Sequence, residues 1–264
     1  MATCLGLFMK CKSRALCKFT KKKHMTQQFS SKSLVVITGG TKGIGRALVE
    51  RFAAGGYDVA TCSRNQKDLE VLKTAIESSY PVQCHIKQAD LGQTEACNEF
   101  ARFVKQLNKP LAAIVHNAAI FRVKALMEES QEELQAMLQT NVISAHILNR
   151  QLLPVMIERQ QGHLFFIASV ASLRGFDNCG AYVTAKHALL GMARALREEL
   201  KPLGLKVTTV MPGATYTNSW AGIDIDQKRL MPPTDIAEAV WAAFSFSARS
   251  VVEEIVIRPQ LGDL

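Results

Sequence analysis

From Leu34 onward the chain alternates short apolar runs, rich in β-branched residues, with longer stretches of helical period. The runs Leu34–Thr38, Tyr57–Cys62, Val82–Gln88, Leu111–His116, His163–Ala168, Leu205–Met211 and Glu253–Ile257 predict strands. Between them, apolar positions three and four apart predict helices near Gly43–Ala54, Gln66–Ser78, Thr94–Leu107, Gln131–Arg159, Ala181–Leu200 and Thr234–Phe244. The long fourth helix is expected to break near Asn141. Strands that are apolar throughout and separated by helices belong to a parallel sheet covered on both faces. With no internal repeat and no composition break after residue 34, the pattern predicts an α/β fold in one doubly wound domain over residues 34–264.

Charge changes the picture only at the start of the chain. The sequence carries a net charge of +9, from 32 basic and 23 acidic residues. Eight of those basic residues and no acid lie in Met1–Ser33, so 24 bases face 23 acids in the rest. The folded part is close to neutral, and no basic groove for nucleic acid is implied. Residues 1–33 read as a basic extension, disordered or left by cloning at the His24-Met25 dipeptide, with a targeting segment or a surface-binding tail as the alternatives. No apolar run approaches the roughly 18 residues that a membrane span requires. Seven cysteines at irregular spacing, without Cys-x-x-Cys, predict free thiols, a cytoplasmic setting and no metal site.

Three places carry candidate chemistry. The first strand runs into Thr38-Gly39-Gly40-Thr41-Lys42-Gly43-Ile44-Gly45, a glycine turn that opens a helix. Such a turn lets backbone N–H groups and a helix N-terminus approach a pyrophosphate, so it reads as a nucleotide site. Tyr182 and Lys186 stand four apart at a predicted helix start and share one face. A nearby ammonium is expected to lower a phenol's pKa and make it a usable acid–base. Ser169, thirteen residues before Tyr182, ends a strand, where its hydroxyl can meet a substrate carbonyl. Asn141 interrupts a helical pattern, and Asn117 follows the fourth strand, at the edge where open parallel sheets bind ligands.

Taken together, these elements resemble the short-chain dehydrogenase/reductase family over about Leu34 to Ile257. The resemblance rests on the Thr-Gly-x-x-x-Gly-x-Gly turn, Asn117-Ala118, Asn141, Ser169 with Tyr182-x-x-x-Lys186, and Pro212-Gly213 with Thr217. It implies a seven-stranded Rossmann-like sheet and hydride transfer between a nicotinamide and a carbonyl or alcohol. It also implies that Tyr182 is the acid–base, that Lys186 lowers its pKa and holds ribose hydroxyls, that Ser169 polarises the substrate oxygen, and that Asn141 supports a proton relay. The implied cofactor contacts are Gly39, Thr41, Lys42, Gly43, Ile44, Gly45, Ser63, Arg64, Asn65, Asp90, Leu91, Asn117, Ala118, Ala119, Tyr182, Lys186, Pro212, Gly213, Thr215 and Thr217. His116 and Ala119 depart from the family's Asn-Asn-Ala-Gly, and the C-terminus lacks the usual Asp-Gly-Gly-style ending.

The second strand ends in Ser63-Arg64-Asn65, without the carboxylate that NAD users tend to carry, so NADP(H) is the expected cofactor. Phe121, Phe176, Tyr216 and Trp220 are expected to form an apolar pocket for a small-molecule carbonyl or alcohol substrate. The apolar excess of Asn141–Arg159 and Ala181–Leu200 predicts a homodimer or homotetramer. The rival is a non-catalytic NADP(H)-binding regulatory protein of the same fold. His116 reads as a structural histidine and Cys179 as a small side chain lining the pocket.

Overall fold

The computed structural model describes residues 33–217 and 226–263. The basic extension therefore lies outside the described residues, apart from Ser33, and so does Trp220. Seven parallel strands form one sheet in the order β3-β2-β1-β4-β5-β6-β7. They are β1 (Leu34–Thr38), β2 (Asp58–Ser63), β3 (Cys84–Gln88), β4 (Leu111–His116), β5 (Gly162–Ile167), β6 (Leu205–Pro212) and β7 (Glu254–Ile257). The helices between them are α1 (Gly43–Ala54), α2 (Gln66–Ser79), α3 (Thr94–Gln106), α4 (Gln131–Leu138), α5 (Ser144–Glu158), α6 (Gly180–Leu200) and α7 (Pro233–Ser245).

The strand period of two sorts residues between two cores. On β1, Leu34 and Val36 join a core with Phe100 of α3, Leu148 and Leu152 of α5 and Leu189 of α6. Val35 and Ile37 point the other way, to Leu48 and Phe52 of α1, Ile76 of α2 and Val240 of α7. At the aromatic end of that second core, Phe52, Tyr57, Trp241 and Phe244 meet edge to face or tilted. The strands β1, β2, β4, β5 and β6 are buried almost throughout, as an apolar run requires. The outermost strands differ: β3 is largely half-buried and β7 alternates between exposed and half-buried. Each has a sheet neighbour on one side only.

The expected helix break near Asn141 takes the form of a π-turn. The chain stays helical from α4 through a π segment at Gln139–Ile143 into α5, with Ser144 N–H donating to Gln139 O. The cause is the Asn141 amide, which turns inward and pairs with both backbone groups of Ile120: Ile120 N–H donates to Oδ1 at 2.8 Å, and Nδ2 donates to Ile120 O at 3.0 Å. One wound-in residue costs less than leaving that amide buried and unpaired. Ser130 and Glu133 start α4 with a reciprocal capping box.

Candidate active site

β1 and β4 are neighbours, while the chain leaves β1 for β2 on its other side. Their C-terminal ends therefore open a crevice where the strand order reverses. Its floor is the glycine turn. Gly39 holds φ +69° and Gly43 φ +52°, a backbone state that side chains disfavour. Gly45 is required for a different reason, because a Cβ there would stand 2.0 Å from Gly39 O.

Asn117 locks this turn to β4. Its Nδ2 donates to Thr38 O at 2.9 Å and to Gly39 O at 3.2 Å. Thr38 Oγ1 accepts from the backbone N–H of Asn117 and of Ala118, at 3.0 and 2.9 Å. Thr61 Oγ1 accepts from Gly40 N–H at 3.1 Å and donates to Ile37 O at 2.6 Å. The N-terminus of α1 has no side-chain cap and no acid in its first turn. Its amide donors and positive dipole end are left for an anion.

At the far wall stand Ser169, Tyr182 and Lys186. Ser169 follows β5, and its Oγ accepts from Ala171 N–H at 3.1 Å and contacts Pro212 O at 3.5 Å. The same hydroxyl lies near enough to the Tyr182 phenol to favour its ionised form. Lys186 is 2% exposed; its Nζ donates to Ile167 O at 2.9 Å and lies 5.5 Å from the Tyr182 ring centre. The ring of Phe121 meets Tyr182 edge-on at 4.9 Å.

Burial sets the pKa direction of both members of this pair. Burial pushes the Tyr182 phenol up to about 12, and the nearby Ser169 hydroxyl opposes this only in part. Burial also pushes Lys186 down to about 8. Tyr182 as a whole is half-buried along the cleft, and the nearby Cys179 adds to the rise.

A cleft of ≈ 980 Å³ runs from the glycine turn to these residues. Every residue expected to touch the cofactor lines it, together with Ser169, Phe121, Phe176 and Cys179. Asn141 does not line it. Its amide is spent on Ile120, which does line the cleft, so the side chain acts on the wall from behind. Tyr216 also misses the cleft and is half exposed, because residues 214–216 pair with Met231 and turn its ring outward. Asn65 lines the cleft with its side chain already committed to capping α2, accepting from Lys67 and Asp68 N–H.

The two ambiguous side chains take their structural readings. His116 is buried against Phe166, pairs with Asn149 at 2.7 Å, and is pushed down to about 4 by burial. The Cys179 thiol is pushed up by partial burial and nearby Asp177 and Glu129, the reverse of an activated thiolate. Sequence reasoning named Thr38 in the turn without its bracing role, and missed Thr61, which also braces it, and Thr140 and Asp68, which line the cleft. A threonine inside an otherwise apolar strand was the available signal for the first two, since a buried hydroxyl needs partners. Among the described residues, no cluster of three His, Cys, Asp or Glu side chains could hold a metal.

The short chain dehydrogenase family model matches residues 33–228, most of the chain. The chain belongs to this family of oxidoreductases. It is 30% identical to a sepiapterin reductase of Chlorobaculum tepidum over 241 residues, covering 88% of this chain and 98% of that protein. It is 28% identical to dehydrogenase/reductase SDR family member 7B of Bos taurus, over 94% of this chain and 79% of the relative. Among solved structures, a metagenomic short-chain oxidoreductase in complex with NADP superposes with a TM-score of 0.77 at 25% identity, covering 88% of this chain and 99% of that one. An alcohol dehydrogenase of Thermococcus sibiricus superposes with a TM-score of 0.80 at 24% identity, with the same coverage, and shares the fold.

Proposed function

We propose that this protein is an NADP(H)-dependent oxidoreductase that interconverts a carbonyl compound and its alcohol, with Tyr182 as the acid–base. The observation that carries this reading is that Ser169, Tyr182 and Lys186 line one wall of the cleft that begins at the glycine turn, with Lys186 Nζ 5.5 Å from the Tyr182 ring centre. The residues present fit a dinucleotide: the uncapped α1 N-terminus suits a pyrophosphate, and Gly39, Gly43 and Gly45 line the cleft beside it without side chains. Ser63 and Arg64, with no acid at the end of β2, suit a 2′-phosphate. The NADP-bound neighbour and the reductase relative support the same assignment. The nicotinamide supplies or accepts the hydride.

The chain's own residues handle the proton. Ser169 and Tyr182 offer two hydroxyl donors to one substrate oxygen, so negative charge developing there meets preorganised dipoles. In reduction, the Tyr182 O–H bond breaks and its proton goes to that oxygen. The Lys186 ammonium then stabilises the phenolate left behind. A non-catalytic sensor would not need this donor pair. Tyr182→Phe should lose most turnover in an NADPH-oxidation assay over a carbonyl panel while binding NADPH nearly as before. Turnover like that of the unsubstituted protein would overturn the assignment.

We propose a homodimer or homotetramer in the cytoplasm. The thiols of Cys62, Cys84, Cys97 and Cys179 are free, and no described helix is long and apolar enough to cross a membrane. On α6, a Cβ built at Gly191 meets open space, which leaves room for another helix to approach closely. Light scattering at micromolar concentration should give at least the dimer mass; a monomer would count against it.

A further inference from the structure

The first turn of α2 carries one side chain whose charge opposes the expected 2′-phosphate. Asp68, in the first turn of α2, lines the same cleft as Thr41, Lys42, Ser63 and Arg64. Its Oδ2 takes Lys42 Nζ at 2.8 Å. In the same cleft Thr41 Oγ1 donates to Ser63 Oγ at 3.2 Å, and the exposed Arg64 guanidinium has no hydrogen bond or ion pair among the described residues. Of the two cations that face this corner of the cleft, Asp68 thus already holds one.

We infer that Asp68 tunes cofactor choice: it occupies Lys42 when no 2′-phosphate is present and repels that phosphate when it arrives. The inference rests on the NADP(H) reading above. A 2′-phosphate brings up to two negative charges into the corner, so Lys42 must be shared or released. At separations of a few ångströms near the surface, each like-charge pair is weakened by solvent but not removed. A ligand without the 2′-phosphate has nothing there for Asp68 to repel. Asp68 is therefore a specificity residue that lowers the preference Arg64 creates. The alternative is purely structural, since an acid in the first turn favours a helix dipole. That role would alter stability and act equally on both ligands.

The test uses fragments that differ only in that phosphate, adenosine 2′,5′-bisphosphate and adenosine 5′-monophosphate, titrated calorimetrically alongside NADPH and NADH. Asp68→Asn should tighten the bisphosphate and NADPH by three- to tenfold and leave the monophosphate and NADH within twofold, with the gain shrinking at high salt. Asp68→Ser should behave alike, and unchanged monophosphate affinity certifies the fold of each variant. Unchanged or weaker bisphosphate binding, or equal tightening of both fragments, would overturn the inference. Failure of the unsubstituted protein to bind any of the four ligands would instead remove the NADP(H) reading on which it rests.

Discussion

Gly45→Ala is the sharpest test of how the cleft is built. A methyl at this position would stand 2.0 Å from Gly39 O, 2.5 Å from Asn117 Nδ2 and 2.9 Å from Gly39 C. Two of these atoms are backbone, and the third, at the end of the Asn117 side chain, is held by two hydrogen bonds. For the methyl to reach even 3.0 Å from the carbonyl, the turn must retreat by about 1 Å, well beyond what a packed interior absorbs without strain. That movement breaks the Asn117 bonds to Gly39 O and Thr38 O. Two lost bonds with groups left unpaired cost about 1–3 kcal/mol each. Alanine's better helix propensity returns only about 1 kcal/mol. The net loss is therefore about 1–5 kcal/mol, which for a domain of this size lowers Tm by roughly 3–15 °C. Thermal unfolding followed by circular dichroism reads this directly, and an NADPH titration should show at least a tenfold weaker complex. Gly175→Ala, where a Cβ meets open space, is the control and should stay within about 0.5 kcal/mol. A Gly45→Ala protein melting within 2 °C of the unsubstituted one would refute the close approach as the reason for glycine.

Two further outcomes can be checked independently. Arg64→Ala should weaken NADPH about ten- to a hundredfold and barely change NADH, because one charge-assisted pair contributes about 1.5–3 kcal/mol; equal loss for both cofactors would contradict it. Lys186 should leave a pH signature in stability. Its folded value of about 8 lies below the ordinary lysine value of 10.5, so between those limits the unfolded chain holds the extra proton. The penalty of the buried charge is full below about pH 8 and is relieved as pH rises towards 10.5. Urea midpoints should therefore climb from pH 8 to 9.5 relative to Lys186→Met, and parallel profiles would sink the argument.

The fold was legible because each strand's apolar run has one physical cause, burial on two faces by flanking helices. The edge strands β3 and β7 were found despite their exposure because Ile86 and Ile255 still pack on the core. The glycine turn, Ser169, Tyr182 and Lys186 announce themselves through spacing, since a turn and a helix fix where side chains four apart must point. Asn141 was located correctly as an interruption, but its partner Ile120 lies 21 residues away, and a helical pattern carries no trace of such a partner. Tyr216 was misplaced for the same kind of reason: the short pairing with Met231 turns its ring outward. Asp68 reads as an ordinary first-turn acid, and only the fold brings it to Lys42.

The proton chemistry was the least legible part, because spacing reports neighbours and says nothing of solvent. In water a lysine amine is slightly more basic than a tyrosine phenolate. In this cleft the order is inverted, with the phenol pushed up to about 12 and the ammonium down to about 8. Burial acts on both groups in the same sense, disfavouring whichever form is charged. The raised phenol keeps its proton further into the alkaline range, while the lowered ammonium gives up its own sooner.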